Sequence, residues 1–310
     1  MSVLDFLWRP RVEETADQRS AALRDVRRLE LESRRLMNSP ALGQYKSIFR
    51  GHGIEFSEVR AYQPGDPFQA IDWKVTARMR KPFVKRFVEE RELTVLLVVD
   101  LSASNDFGTR GSLKREQATR VASVLAMAAI RSGDRVGMLL FTDRIERFAR
   151  PVRGRNRNLR LLYELVSCEP EGKGTDIGLA LATASRLLTV RSLVFVISDF
   201  VDVEGLTRPF LSLAARHDVV AVDVRDPAEL TLPESGWVEV EDPETGARRV
   251  VDLGDAGVRA ALEGRAAVEE QALESTFARC RVDRLRIRTD ESFEAALAMF
   301  FAARGRKPLT

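Results

Sequence analysis

Beyond residue 93, short unbroken apolar runs alternate with stretches of helical period. Thr94 to Asp100 predicts a buried strand, Lys114 to Arg131 a helix and Arg135 to Phe141 a second strand. An edge strand near Ile145 to Phe148 leads into a helix over Asn158 to Val166. Helices over Asp176 to Leu188 and Leu206 to Arg216 then alternate with strands at Ser192 to Ser198 and Val219 to Val224. Valine-, leucine- and isoleucine-rich strands separated by helices of about ten or more residues are the pattern of a mostly parallel sheet covered on both faces. The predicted core is therefore α/β and doubly wound.

Both ends of this core carry additions. Apolar Ala22, Val26, Leu29, Leu31 and Leu36 recur among arginines and predict an amphipathic helix over Asp17 to Met37, docked by its apolar side and solvated on its arginine side. Residues 49–92 change to short strand-like stretches around the turn "QPGD", Gln63 to Asp66, and read as a small appended subdomain. Past Pro227 a hairpin insertion near 236–252, turning at Glu244 to Gly246, precedes a helix over Ala256 to Arg279. Val282 to Thr289 is expected to add an edge strand, and Asp290 is placed to cap a last helix over Glu291 to Ala303. The expected division is 1–48, a helical segment; 49–92, the subdomain; and 93–310, the α/β domain.

Composition narrows the function classes. With 49 Lys plus Arg against 46 Asp plus Glu, the chain is only slightly basic and does not call for nucleic acid. Five arginines lie between Arg150 and Arg160, but without the interleaved aromatics of a single-strand binder. Cys168 and Cys280 are too few for a disulfide framework and suit a reducing cytoplasm. No window reaches the roughly 18 uninterrupted apolar residues of a membrane span, and Asp5 and Arg9 break the apolar start where a signal sequence would continue. A cytoplasmic location is expected.

The candidate chemistry sits where strands end. In open α/β sheets ligands bind beyond the carboxyl ends of the strands. The first strand ends in "DLSAS", offering Asp100, Ser102 and Ser104; "GKGTDIG" puts Thr175 just ahead of a helix; "VFVISDF" ends a buried strand on Asp199. Three hydroxyls and two carboxylates, with neither histidine nor cysteine, suit a hard cation such as Mg²⁺ (or Mn²⁺). Each loop taken alone is also an ordinary helix cap.

These residues resemble the metal-ion-dependent adhesion site of von Willebrand factor A domains. The resemblance implies that Ser102, Ser104 and Thr175 coordinate the metal, that Asp100 and Asp199 act largely through water, and that an acidic side chain of a partner protein completes the shell. The stretch Phe49 to Phe87, with "YQPGD" and "IDW", is similar to the signature of domain-of-unknown-function family 58. Asn105, Gln69 and Ala70 depart from that family's common pattern. The resemblance implies work beside a MoxR-type AAA+ ATPase, in chaperone-like maturation or remodelling of client proteins.

Catalytic readings find less support. No phosphate-loop, dinucleotide-binding or nucleophile-elbow motif is present. The enzymatic alternative is an Mg²⁺-dependent phosphohydrolase with Asp100 as nucleophile, yet such enzymes need a second acid two residues on, where this chain has Ser102. Tyr62, Asp66, Asp72, Trp73 and Arg78 form a further polar and aromatic group, for which a turn, an arginine pair on Asp72 and a packed tryptophan give a structural account. His217 is expected to cap a helix C-terminus.

Overall fold

A computed structural model describes residues 16–37, 55–88, 92–109, 111–201, 204–232 and 235–305. The apolar tip at Phe6 to Trp8 and the first residues of the Phe49 to Phe87 signature lie outside them. Two compact units emerge, one of residues 49–93 and one that joins 1–48 to 94–310.

The larger unit is built on a six-stranded sheet. Its strands are β3 (Thr94–Asp100), β4 (Arg135–Phe141), β5 (Ile145–Val152), β6 (Leu193–Ser198), β7 (Asp218–Arg225) and β10 (Asp283–Arg288), in the spatial order β10-β7-β6-β3-β4-β5. All neighbours are parallel except the edge pair β4 and β5. Every residue of β3 and β6 is buried, so their unbroken apolar runs report coverage on both faces. On one face Leu96, Val98, Val194 and Val196 pack with Ala180 and Ala184 of α5 (Ile177–Leu187), Phe210 of α6 (Thr207–Ala214) and Phe277 of α8 (Ala256–Cys280). The opposite face is covered by α3 (Lys114–Arg131), which packs on β3, β4, β6 and β7. The fold is α/β and doubly wound.

Helix α1 (Ala16–Met37) packs on α3 and on α4 (Arg155–Ser167) through Ala22, Val26, Leu29 and Ser33, a strict i, i+4, i+7, i+11 stripe. Leu31, expected on that stripe, is off it and exposed. The short α7 (Pro227–Leu230) starts on a capping box made by Asp226 and Glu229. The last helix, α9 (Phe293–Gly305), starts later than expected, and Asp290 pairs with Arg288. At the far edge Arg284 locks β10 in place, bonding Asp223 of β7 and, at 2.7 Å, Glu270 of α8. His217 is buried; its backbone N–H bonds Leu213, while neither ring nitrogen has a hydrogen-bond partner, so its ring does not cap the helix.

In the smaller unit β1 (Glu55–Ala61) and β2 (Phe83–Val88) form an antiparallel pair, with α2 (Trp73–Met79) between them. The "QPGD" turn is clamped by Asp66, which takes a bidentate bond from Arg60 at 2.7 and 2.8 Å and a third from the Gln63 N–H. These donors, Arg60 first, hold its carboxyl below the usual range. Asp72 caps α2 by accepting from the N–H groups of Lys74 and Val75. Trp73, expected to be packed, is 63% exposed and lies 6.4 Å from the ring of Phe68, itself exposed.

Phe277 touches the rings of Phe200 and Phe210 edge-on at 5.3 and 5.4 Å, and all three are buried. Phe277→Ala should destabilise the larger unit by about 3 to 5 kcal/mol, measured by denaturant unfolding, because the emptied site is walled by two rigid rings and the sheet.

Candidate metal centre at the strand ends

Strand β3 has β4 on one side and β6 on the other, so the chain reverses its direction of travel across the sheet between these strands. Beyond the carboxyl ends of β3 and β6 the connecting loops diverge, which is where open α/β sheets hold ligands. Asp100 is the last residue of β3, and Asp199 follows the last residue of β6. Both are 1% exposed.

Asp100 is fastened at both oxygens. Its Oδ1 accepts the Ser102 N–H at 2.9 Å and its Oδ2 the Ser198 hydroxyl at 2.6 Å. Burial and, next, the neighbouring Asp199 charge push its pKa up to about 6, against the pull of the Ser198 and Ser102 bonds. After Asp100 the chain turns into a short 3-10 segment, Ala103–Asp106. That turn sets the Ser102 and Ser104 hydroxyls 3.1 Å apart. Asn105 is buried, donates to the Ser102 Oγ at 3.2 Å and leaves its Oδ1 without a hydrogen-bond partner.

The threonine loop is tied to this turn by a backbone bond from the Ala103 N–H to the Lys173 carbonyl at 2.9 Å, and to the end of β4 by the Asp176 N–H on the Thr142 carbonyl at 2.9 Å. Gly172 fits here because a Cβ would meet Thr142 Oγ1 at 2.2 Å and Asp143 Oδ1 at 2.1 Å. Glu146 fixes the loop from the far side, accepting from the Gly172 N–H at 2.9 Å and the Thr142 hydroxyl at 2.7 Å. Thr175 is half-buried, and its hydroxyl donates to Glu244 at 2.6 Å. Asp176, next in line, caps α5.

Lys114 is a site residue that the sequence reading did not single out. Its side chain is 2% exposed, and its ammonium bonds Asp199 Oδ2 at 2.7 Å and Glu229. Burial opposes its charge, but Asp199 and Glu229 together outweigh burial and raise its pKa. The signal was a lysine at the first position of an otherwise buried helix; nothing in the linear text places Glu229 beside it. Asp226, whose cap sets Glu229, is buried and also accepts from the Thr109 N–H at 2.9 Å and from the Thr109 and Thr289 hydroxyls. Burial would raise the Asp226 pKa, and these donors more than reverse it.

This neighbourhood suits a hard divalent ion. Mg²⁺ holds oxygen at 2.0–2.1 Å in octahedral geometry, so two adjacent ligands stand about 2.9 Å apart. The Ser102 and Ser104 hydroxyls stand at nearly that separation. Asp199 and Glu229 share one ammonium, and the Asp199 charge is felt at Asp100, which leaves a negative excess when all three are ionised. Among the described residues no three His, Cys, Asp or Glu side chains converge as metal ligands.

The sequence profile described as "Protein of unknown function DUF58" matches residues 58–272. The chain belongs to this family. The "Uncharacterized protein Rv1480" of Mycobacterium tuberculosis is 32% identical to this chain over 286 residues, spanning 92% of this chain and 90% of that protein. The "Uncharacterized protein YeaD" of Bacillus subtilis is 30% identical over 91 residues, 29% of this chain and 21% of that one. Among solved structures, the conserved hypothetical protein BatB from Bacteroides thetaiotaomicron covers 69% of this chain and all of its own, at 18% identity and a TM-score of 0.44. A von Willebrand factor type A protein from Catenulispora acidiphila covers 72% of this chain and 44% of its own, at 13% identity and a TM-score of 0.37. At those scores neither adds to the fold assignment, which rests on the strand order of this family member itself.

Two predictions arise from the charges. The unfolded Asp100 titrates near 3.9 and the folded one near 6, so between those values the native state binds more protons and stability falls as pH rises. Asp100→Asn should flatten that fall and stabilise the metal-free protein at pH 7 by on the order of 1 to 3 kcal/mol, read from urea unfolding across pH 4 to 8. Lys114→Met strands two carboxylates and should cost about 3 to 5 kcal/mol in the same assay.

Proposed function

We propose that this family member is a non-catalytic, metal-dependent protein-binding module. Ser102, Ser104 and Thr175 would hold Mg²⁺ or Mn²⁺, with Asp100 and Asp199 in support, and the bound cation would supply a Lewis-acidic position for an acidic side chain of a partner protein. The observation that carries this reading is the placement of Asp100, Ser102 and Asp199, buried together at the point where the strand order reverses, with Ser104 beside Ser102 at an octahedral-edge spacing.

The family resemblance points to a MoxR-type AAA+ ATPase or its client as that partner, and to chaperone-like maturation or remodelling as the setting. The setting proposed for this role is the cytoplasm; no described helix is long and apolar enough to cross a membrane. A phosphohydrolase is a poorer fit. Both oxygens of Asp100 are engaged by Ser102 and Ser198, and the position of the second acid is held by Ser102.

Millimolar Mg²⁺ or Mn²⁺ should raise the melting temperature of the wild type. A ligand at 100 times its dissociation constant adds about 2.7 kcal/mol, which differential scanning fluorimetry resolves readily. The paired change Ser102→Ala and Ser104→Ala should remove the metal response, read as the difference in melting between the metal-loaded and the chelated form of the same variant. An unchanged response in that variant contradicts the proposal.

A further inference from the structure

Residues 236–252 form a hairpin, β8 (Trp237–Glu241) paired with β9 (Arg248–Asp252), outside the six-stranded sheet. Two antiparallel strands with no sheet beside them are marginal in water. This pair also leaves Trp237, Val240 and Val250 exposed at 75%, 48% and 64%. From Glu239 to Val250 every residue is exposed except Glu244. At this tip the Glu244 carboxylate accepts a hydrogen bond from the body of the protein, from the Thr175 hydroxyl.

That carboxylate is aimed. Asp242 accepts from the Glu244 N–H at 2.9 Å, the Thr245 N–H at 3.3 Å and the Thr245 hydroxyl at 2.7 Å, and its own backbone bonds Ala247 and Gly246. Gly246 supplies the left-handed φ of 70° that closes the turn. The Asp242 carboxyl is held below its usual range by these donors, Thr245 first. Fixed in this way, Glu244 puts Oε1 2.6 Å from the Thr175 hydroxyl and lays Oε2 over Gly174, 3.7 Å from where a Cβ would stand.

We propose that Glu244 is the chain's own ligand for the centre, taking the coordination position that an external acidic side chain would otherwise fill. The inference rests on the metal reading above and extends it: the hairpin is an internal competitor, and a partner engages when its acid displaces Glu244 and the hairpin swings away. A tethered carboxylate acts at an effective concentration on the order of millimolar. Weak, solitary acids are thereby screened out, and only a partner with further contacts, or one that grips the exposed Trp237 and Val250 of the lifted hairpin, gains access.

The test uses the full chain and Mn²⁺, with free Mn²⁺ followed by electron paramagnetic resonance and bound Mn²⁺ by water-proton relaxation. Glu244→Gln should bind Mn²⁺ about tenfold more weakly and show a higher relaxation enhancement per bound ion, since water enters the vacated position. Acetate should quench that enhancement in Glu244→Gln at concentrations that leave the wild type unchanged. Glu239→Gln, an exposed acid of the same hairpin, should match the wild type. If Mn²⁺ binding depends on Ser102 and Ser104 but Glu244→Gln keeps wild-type affinity and relaxation, Glu244 is only a hydrogen-bond acceptor and the proposal falls alone. If the wild type binds no Mn²⁺, or binds it equally after Ser102→Ala with Ser104→Ala, the metal reading and this extension fall together.

Discussion

Two carboxylates buried side by side at the ends of adjacent parallel strands set the terms for everything around them. Asp100 and Asp199 are forced into proximity because β3 and β6 are neighbours, and the apolar sheet offers neither of them water. A lone buried charge is intolerable, so each is compensated by a different device. Asp100 takes two hydrogen bonds and an upward shift of its pKa, while Asp199 takes a buried ammonium. In the proposed reading, the remaining negative charge beside the Ser102 and Ser104 hydroxyls would favour a divalent cation there.

Much of the surrounding structure serves to hold this arrangement still. Phe200, directly after Asp199, has a φ of 47°, a conformation that bulky side chains rarely adopt. Its ring is buried against Phe210 and Phe277, so aromatic packing in the core sustains a backbone kink beside Asp199. On the other side, Asp226 caps α7, the cap sets Glu229, and Glu229 helps to fix Lys114. Distant elements thus converge on one electrostatic site, and a defect in any of them would be felt there.

The hairpin belongs to a different regime. It contributes little to the core, Trp237, Val240 and Val250 face solvent, and at its tip Glu244 accepts a hydrogen bond from Thr175. A module that must stay closed to casual acids and open to a specific one needs an element whose attachment is weak compared with the stability of the fold. In the proposed binding cycle, rigidity in the sheet and looseness in the hairpin would be complementary demands.

The sequence by itself determined the elements of the core and the chemistry of the strand ends. Unbroken apolar runs can satisfy their surroundings only as doubly covered strands, and Asp100, Ser102, Ser104, Thr175 and Asp199 are tied to them by position along the chain. Helix boundaries were legible to within a few residues; at the last helix Arg288 takes Asp290 from its expected cap and the helix starts at Phe293. Only the tertiary structure decided the long-range pairings. Lys114 meets Asp199 across 85 positions and Thr175 meets Glu244 across 69. Such contacts have no periodic signature, because they depend on which strands become neighbours and on where a hairpin outside the sheet comes to rest.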